Sequence, residues 1–341
     1  MKFIVLSFFL MFSNHLHASD SNHSEIKFKS GNITLRGYFT TPKAKKKFPA
    51  VLLLEGSGQS TDKVETSESS FRQIAEFLAT FGVGSLRYNK RGSGYNSDKG
   101  QFHKATLEDN YRDAKNALVF LKSQSNVNSK KIFVLGQSMG GTRASRLAND
   151  FAWIKGVILV ASPTRTFSEF NNDQLSILFR FKGMTENKIK EELKKNTNWI
   201  ENIISPSYLC EKDIKCQLIN GVEVVDGQSI EFWKQTVKHN QLKVLSQLKQ
   251  PILIIQGTSD WVVSVKDTAL AATTLEDVGH LNYQVNIING FDHFFANNPS
   301  KVDSLKYMIG VKTKKLKPMP LHKEFQNVLK SWLIRVMVHS K

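Results

Sequence analysis

The stretch Leu135-Gly136-Gln137-Ser138-Met139-Gly140-Gly141 decides how the chain is read. It follows the apolar, β-branched run Lys131-Ile132-Phe133-Val134-Leu135, which predicts a buried strand, and precedes Thr142 to Ala148, which predicts the start of a helix. A strand, a Gly-x-Ser-x-Gly turn and a helix in succession make a tight elbow with a serine at its apex. Side chains two residues before and two after that serine would collide, so Gly136 and Gly140 fit where a Cβ would not. The strain lifts the Ser138 hydroxyl clear of the sheet edge, where a base and a substrate can reach it. The helix that follows aims its amino terminus at the same place and favours negative charge there.

Outward on the amino-terminal side, Phe48 to Leu54 is a continuous apolar run, the pattern of a central strand covered on both faces. It ends in Glu55-Gly56-Ser57-Gly58-Gln59, small residues that leave backbone N–H groups accessible, as an oxyanion hole requires. The Ser57 N–H is the expected first donor and the N–H of Met139, the residue after the serine, the second. Ser67 to Phe81 and Ala105 to Ser123 carry apolar residues at helical spacing, with the strand Val83 to Tyr88 between them. The loop Asn89 to Tyr95 follows that strand; Arg91 is expected to tie loops together around the site, and lining of the acyl pocket is the alternative for this loop. Further out, Glu25 to Ser30 and Asn32 to Thr40 alternate in polarity about Ser30-Gly31-Asn32 and predict an antiparallel hairpin at the sheet edge.

On the other side, Lys155 to Ala161 predicts another buried strand. Strands alternating with helices imply a parallel sheet with right-handed crossovers. Pro163 breaks the rhythm. From there to about Leu248 the chain is charged and helical in pattern, over Phe167–Phe181, Glu186–Ile204 and Phe232–Leu248, and reads as a cap inserted over the sheet. The sheet pattern resumes at Pro251 to Gly257 and again at Tyr283 to Ile288, with a helix expected from Lys266 to Val278 and a last amphipathic one from Leu321 to Val338. Asp260 and His293 each fall just past one of these strands.

Ser138, Asp260 and His293 thus lie in that order at the carboxyl ends of strands, where open α/β sheets place their ligands. A neutral His293 can take the Ser138 proton during attack on a carbonyl and return it to the leaving group, while Asp260 orients the imidazole. Two rival acids exist: Asp292, whose side chain should point away from its neighbour His293, and Asp267, which starts a helix.

With these residues in view the chain resembles the α/β-hydrolase-fold serine hydrolases from about Ala50 onward, interrupted by the cap. More narrowly it is similar to bacterial esterases carrying Gly-Ser-Gly after the oxyanion strand, Arg-Tyr-(Asp/Asn)-Lys-Arg-Gly-x-Gly after the next, and Asp-Trp at the triad acid. Here these are Gly56-Ser57-Gly58, Arg87 to Gly94, and Asp260-Trp261. Asn89 stands in place of the commoner Asp, and Gln137 in place of the commoner His, which alters what packs around the serine. The resemblance implies an α/β fold with a mostly parallel, doubly wound sheet and no metal or cofactor. It implies cleavage of a small-molecule or lipid-like carboxylic ester through an acyl-enzyme on Ser138. Peptidase, amidase, thioesterase or acyltransferase chemistry with the same triad is the alternative, and an inactive fold member that binds a partner is a third reading.

The 341 residues suffice for one large α/β domain or two small ones, and a hydrophobic content of 40% excludes a disordered chain. Met1-Lys2, the apolar Phe3 to Phe12 and Ala18 read as a signal peptide over residues 1–18, so the expected product is exported, periplasmic or secreted. The core is then expected over residues 20–162 and 249–341, with the cap over 163–248. Cys210 and Cys216 lack companions at zinc-binding spacing; in an oxidising compartment they would close a small disulfide loop, and two free thiols are the alternative. A net charge of +17 suits contact with anionic surfaces. No nucleic-acid-binding motif accompanies it.

Overall fold

In the computed structural model, which describes residues 21–43, 46–59, 69–213 and 215–338, the chain opens with the hairpin β1 (Ser21–Ser30) and β2 (Ile33–Pro42), paired antiparallel from Ser21↔Pro42 to Ser30↔Ile33. The expected signal segment, residues 44 and 45 of the basic connection and the first two positions of the helix expected from Ser67 lie outside the described residues. Then follow β3 (Phe48–Leu54), α1 (Ser70–Thr80), β4 (Gly84–Tyr88), α2 (Leu107–Ser123), β5 (Val127–Gln137), α3 (Met139–Asp150) and β6 (Gly156–Val160). After an insertion come β10 (Ile252–Gly257), α8 (Val265–Asp277), β11 (Tyr283–Ile288), α9 (Lys301–Lys312) and α10 (Lys323–Val338). The eight strands lie in the order β1-β2-β4-β3-β5-β6-β10-β11, antiparallel at the β1–β2 and β2–β4 pairings and parallel elsewhere.

The apolar strand runs make this a sheet covered on both faces. Alternate residues point to opposite sides. Leu52, Leu54, Val134, Leu159 and Ile254 pack against Tyr111 and Leu118 of α2, Leu147 of α3 and Leu275 of α8. Their neighbours Val51, Leu53, Phe133, Ile158 and Ile255 pack against Ile74 and Leu78 of α1 and Leu329 and Trp332 of α10. Trp332 meets Phe133 edge-on at 6.1 Å; truncating such a buried aromatic costs about 3–5 kcal/mol. α2 starts on a capping box between Thr106 and Asp109. α9 has no counterpart among the expected helices: its apolar residues are spread around its circumference and leave no stripe to read.

The insertion between β6 and β10 carries α4 (Phe167–Phe181), α5 (Glu186–Ile203), β7 (Cys216–Ile219), β8 (Val222–Val225), β9 (Gln228–Ser229), α6 (Ile230–Lys238) and α7 (Gln241–Leu245). It is not wholly helical, as the sequence pattern suggested: β7, β8 and β9 form a small antiparallel sheet. Its two turns, Asn220-Gly221 and Asp226-Gly227, have positive φ at all four residues, the geometry of tight hairpins. The helix expected over Phe232–Leu248 is two helices, because the Asn240 side chain caps a new start by accepting from Lys243 N. α7 packs with the core, burying Leu245 among the α3 and α8 side chains, so the chain rejoins the sheet before residue 248. Cys210 and Cys216 are joined in a disulfide. Two hydrogen bonds tie the insertion to the start of α2: Ser229 Oγ donates to Ala105 O, and Glu108 N donates to Gln235 Oε1. Among the described residues no helix is long and apolar enough to cross a membrane.

Candidate active site

Ser138 stands alone between β5 and α3 with φ 54° and ψ −130°, a conformation L-residues avoid. Such strain costs about 1–3 kcal/mol and persists only where the surroundings enforce it. They do so here: Ser138 N donates to Val160 O at 2.9 Å, and Gly141 N donates to Ser138 O at 2.8 Å. A Cβ on Gly136 would sit 2.2 Å from Gly140 O, and one on Gly140 would sit 2.2 Å from Leu54 O. The elbow therefore exists only with hydrogen at both positions.

Asp260 and His293, supplied by the loops after β10 and β11, meet at 2.9 Å between Oδ2 and Nδ1, and both are buried. The carboxylate is held from all sides. Its Oδ1 accepts from Val262 N and Val263 N, and its Oδ2 also accepts from the Gln256 carboxamide. With Nδ1 donating to the carboxylate, the neutral imidazole presents Nε2 as an acceptor. The rival acids have other employment. Asp292 accepts from Phe294 N, Ala296 N, Asn298 Nδ2 and Ser304 Oγ, which folds the loop that carries His293; burial raises its pKa. Asp267 pairs with Arg165 and accepts from the backbone of Thr164 and Arg165, where the insertion leaves the core. Arg91 binds Asp113 of α2 through two nitrogens, tying the loop after β4 to that helix.

Gln137, just before the serine, connects three loops. Its Oε1 accepts from Gly56 N at 3.1 Å, and its Nε2 donates to His293 O at 3.1 Å. No direct hydrogen bond joins Ser138 to His293 among the described residues; the side-chain partner of His293 is Asp260.

The loop Glu55-Gly56-Ser57-Gly58 is pinned by two buried cations. Arg143 of α3 donates to Glu55 O. Lys90, from the loop after β4, donates to Gly56 O at 2.9 Å and to Gly58 O. A trans peptide directs its C=O and the next N–H to opposite sides. Lys90 on the Gly56 carbonyl therefore turns the Ser57 N–H away from itself, just as Arg143 on Glu55 turns the Gly56 N–H towards Gln137. Gly56 must be glycine, since a Cβ there would lie 2.8 Å from Ser138 Cβ. Burial pushes the Lys90 ammonium down to about 8, against the opposing pull of Glu55, and lowers Arg143 as well. Met139 opens α3, so its N–H has no acceptor one turn back in the helix. The sequence marked Gln137 by its place before the serine and Lys90 by the motif after β4, but not what they or Arg143 hold, because each acts on backbone atoms far along the chain.

Beside this loop lies a tight cleft between the core and the insertion, with only about 10 Å³ open to a water-sized group, where Ser57, Met139 and Phe232 share the lining with Lys90 and Arg143. A wider groove bordered by Lys122, Lys130, Lys155, Lys249 and Trp153 opens at the other end of the strands, away from Ser138.

The sheet order, the flanking helices and the serine at its elbow define an α/β-hydrolase-fold serine hydrolase. Within that class the chain belongs to the family described as serine aminopeptidase, S33, whose model matches residues 64–300. It is 27% identical over 287 residues to esterase EstD of Thermotoga maritima, covering 82% of this chain and 63% of that one; the chain thus spans less than two thirds of that relative's length. Among solved structures, an esterase of Pyrococcus furiosus superposes with a TM-score of 0.59 at 17% identity, over 93% of this chain and 91% of its own. The α/β hydrolase GrgF from a Penicillium species gives 0.57 at 17% identity, over 93% and 99%.

Proposed function

We propose that the protein hydrolyses carboxylic esters through an acyl-enzyme on Ser138. His293 Nε2 removes the Ser138 proton as the oxygen attacks the ester carbonyl. The developing oxyanion is held by the N–H groups of Ser57 and Met139. His293 then passes the proton to the leaving alkoxide and afterwards activates the water that releases the acid. Asp260 keeps the imidazole in the required tautomer. The observation that carries this reading is the buried His293–Asp260 contact at 2.9 Å, reached from the strained Ser138 turn through the Gln137 bridge. The likeness to an esterase from Thermotoga maritima supports it.

The family description favours a second reading, an aminopeptidase. Such an enzyme needs an anionic group to receive the substrate's ammonium. The charged residues lining the cleft are Lys90 and Arg143, both cationic, which supports an uncharged or anionic substrate instead.

The test is hydrolysis of p-nitrophenyl esters from acetate to long-chain, and of aminoacyl-p-nitroanilides, by the wild type and by Ser138→Ala. Serine-dependent turnover of esters that exceeds that of anilides is expected. Turnover confined to anilides would replace the reading with the peptidase one, and ester turnover untouched in Ser138→Ala would end it. Export to an oxidising compartment belongs to the same proposal; the Cys210–Cys216 disulfide supports it. Contact with anionic surfaces also belongs to it, supported by the net charge of +17.

A further inference from the structure

β10 is apolar until its last side chain. Ile252, Leu253, Ile254 and Ile255 are followed by Gln256, which is fully buried. Its Nε2 lies 3.1 Å from Asp260 Oδ2, 3.1 Å from Val263 O and 3.4 Å from Gly257 O. All three are acceptors, so the carboxamide must present its nitrogen there; turned over, its oxygen would face three oxygens. Its Oε1 has no hydrogen-bond partner among the described residues. Burying that acceptor is costly, and an apolar side chain would complete the strand without the cost. The carboxylate that the nitrogen meets is filled. Oδ1 accepts from Val262 N and Val263 N, and Oδ2 accepts from His293 Nδ1 and from Gln256. A carboxylate offers about four lone-pair sites, and these donors take them all.

We propose that Gln256 is a positioning residue for the reaction at Ser138: it occupies the second site on Asp260 Oδ2 and so limits how strongly that oxygen holds the His293 proton. The inference rests on the ester-hydrolase reading. The two backbone donors on Oδ1 already fix the place of the carboxylate, so Gln256 is not needed to keep it there. What the carboxamide changes is the charge on the oxygen that faces the imidazole. A donor on Oδ2 draws part of its negative charge away. Without that donor, in a buried site, the oxygen attracts an imidazolium more strongly. The histidine would then keep its proton to higher pH and yield it less readily to the leaving group. Gln256 thus balances the base and acid halves of the cycle. The same nitrogen bonds Val263 O and closes the loop 257–263, which carries Asp260 past the strand end.

The experiment is the pH profile of kcat/KM on p-nitrophenyl acetate for the wild type and for Gln256→Met, a side chain of similar length with no donor. The acid limb should move to higher pH in the variant by about half a unit to one unit. Loss of packing or of loop order would instead lower kcat/KM at every pH and leave the limb in place. The ionisable groups on the elements around the pair are Glu55 after β3, Lys90 after β4, Arg143 of α3, Asp267 of α8, Asp292 beside His293 and His322 ahead of α10. They are the same in both proteins, so a difference between the two profiles belongs to Gln256. A second readout needs no turnover. The proton between His293 Nδ1 and Asp260 Oδ2 should appear at low field in the proton NMR spectrum, and further downfield in Gln256→Met. If that variant does not fold, Gln256→Leu takes its place in both measurements. An acid limb that stays where it is, or a proton signal that does not move downfield, overturns the inference. A wild type without Ser138-dependent turnover loses the ester-hydrolase reading itself, and the NMR signal alone then decides whether Gln256 acts on the Asp260–His293 pair.

Discussion

Lys90→Met tests how the loop proposed to supply the Ser57 oxyanion donor is held. The ammonium is buried and bonds two carbonyls of the loop, those of Gly56 and Gly58, with Glu55 3.9 Å away. Removing it has two opposed effects on stability. Two hydrogen bonds from a charged donor are lost, worth about 1.5–3 kcal/mol each. Against this, the cost of burying the charge disappears. A side chain lowered from 10.5 to about 8 carries a penalty of about 3 kcal/mol at neutral pH. The net change in unfolding free energy should therefore be small, within about 3 kcal/mol of zero. Activity has no such compensation. The Gly56–Ser57 peptide is then free to rotate, and loss of one oxyanion donor costs about 10²–10³ in kcat. The assay is kcat on a short p-nitrophenyl ester beside urea unfolding of the same variant. A pH series adds a second readout. Wild-type kcat should decline as pH rises through about 8, where Lys90 loses its charge, and that decline should be missing from Lys90→Met. The sign for stability runs the other way. Between about 8 and 10.5 the unfolded chain binds the proton that the folded chain has shed, so this group's penalty is full below about 8 and is relieved as pH rises. A variant that keeps more than about half of the wild-type kcat, where loss of an oxyanion donor predicts a hundredth, with the alkaline decline intact, would refute the role given to Lys90.

Gly140→Ala should abolish esterase turnover and lower stability by about 1–3 kcal/mol, because the new methyl meets Leu54 O; full labelling by a fluorophosphonate would contradict this. Gln137→Ala should cut kcat/KM by about 10²-fold through misplacement of the oxyanion and histidine loops, checked by steady-state kinetics with KM and kcat read separately. Asp267→Ala should cost about 3–5 kcal/mol by leaving the largely buried Arg165 without its main partner. Limited proteolysis should then cut first within residues 163–240, and an unchanged cleavage pattern would count against the anchoring role.

The sequence made the alternation of strands and helices legible because each buried strand is a continuous apolar run bounded by turn residues. It also put Ser138, Asp260 and His293 at strand ends by counting alone. What it hid has physical causes. Gln137, Lys90 and Arg143 hold main-chain atoms between 32 and 156 residues away, and no local pattern encodes such a partner. α9 was missed because it lacks an apolar stripe. The small sheet of the insertion is a different kind of miss. Asn220-Gly221 and Asp226-Gly227 are strong hairpin signals, but the charged, helix-rich surroundings drew the reading towards helix.

The bonds from Ser229 and Gln235 to the start of α2 have a consequence for how this chain can be re-engineered or can diverge. The insertion looks like an exchangeable module, yet the cleft takes Gln228 and Phe232 from it and Leu107 and Asn110 from the core. A chimera that swaps the insertion alone would inherit half of that cleft's lining. The transferable unit is the insertion together with the segment around residues 102–110. Any change in the shape of that seam would have to move those two distant stretches of the gene in concert.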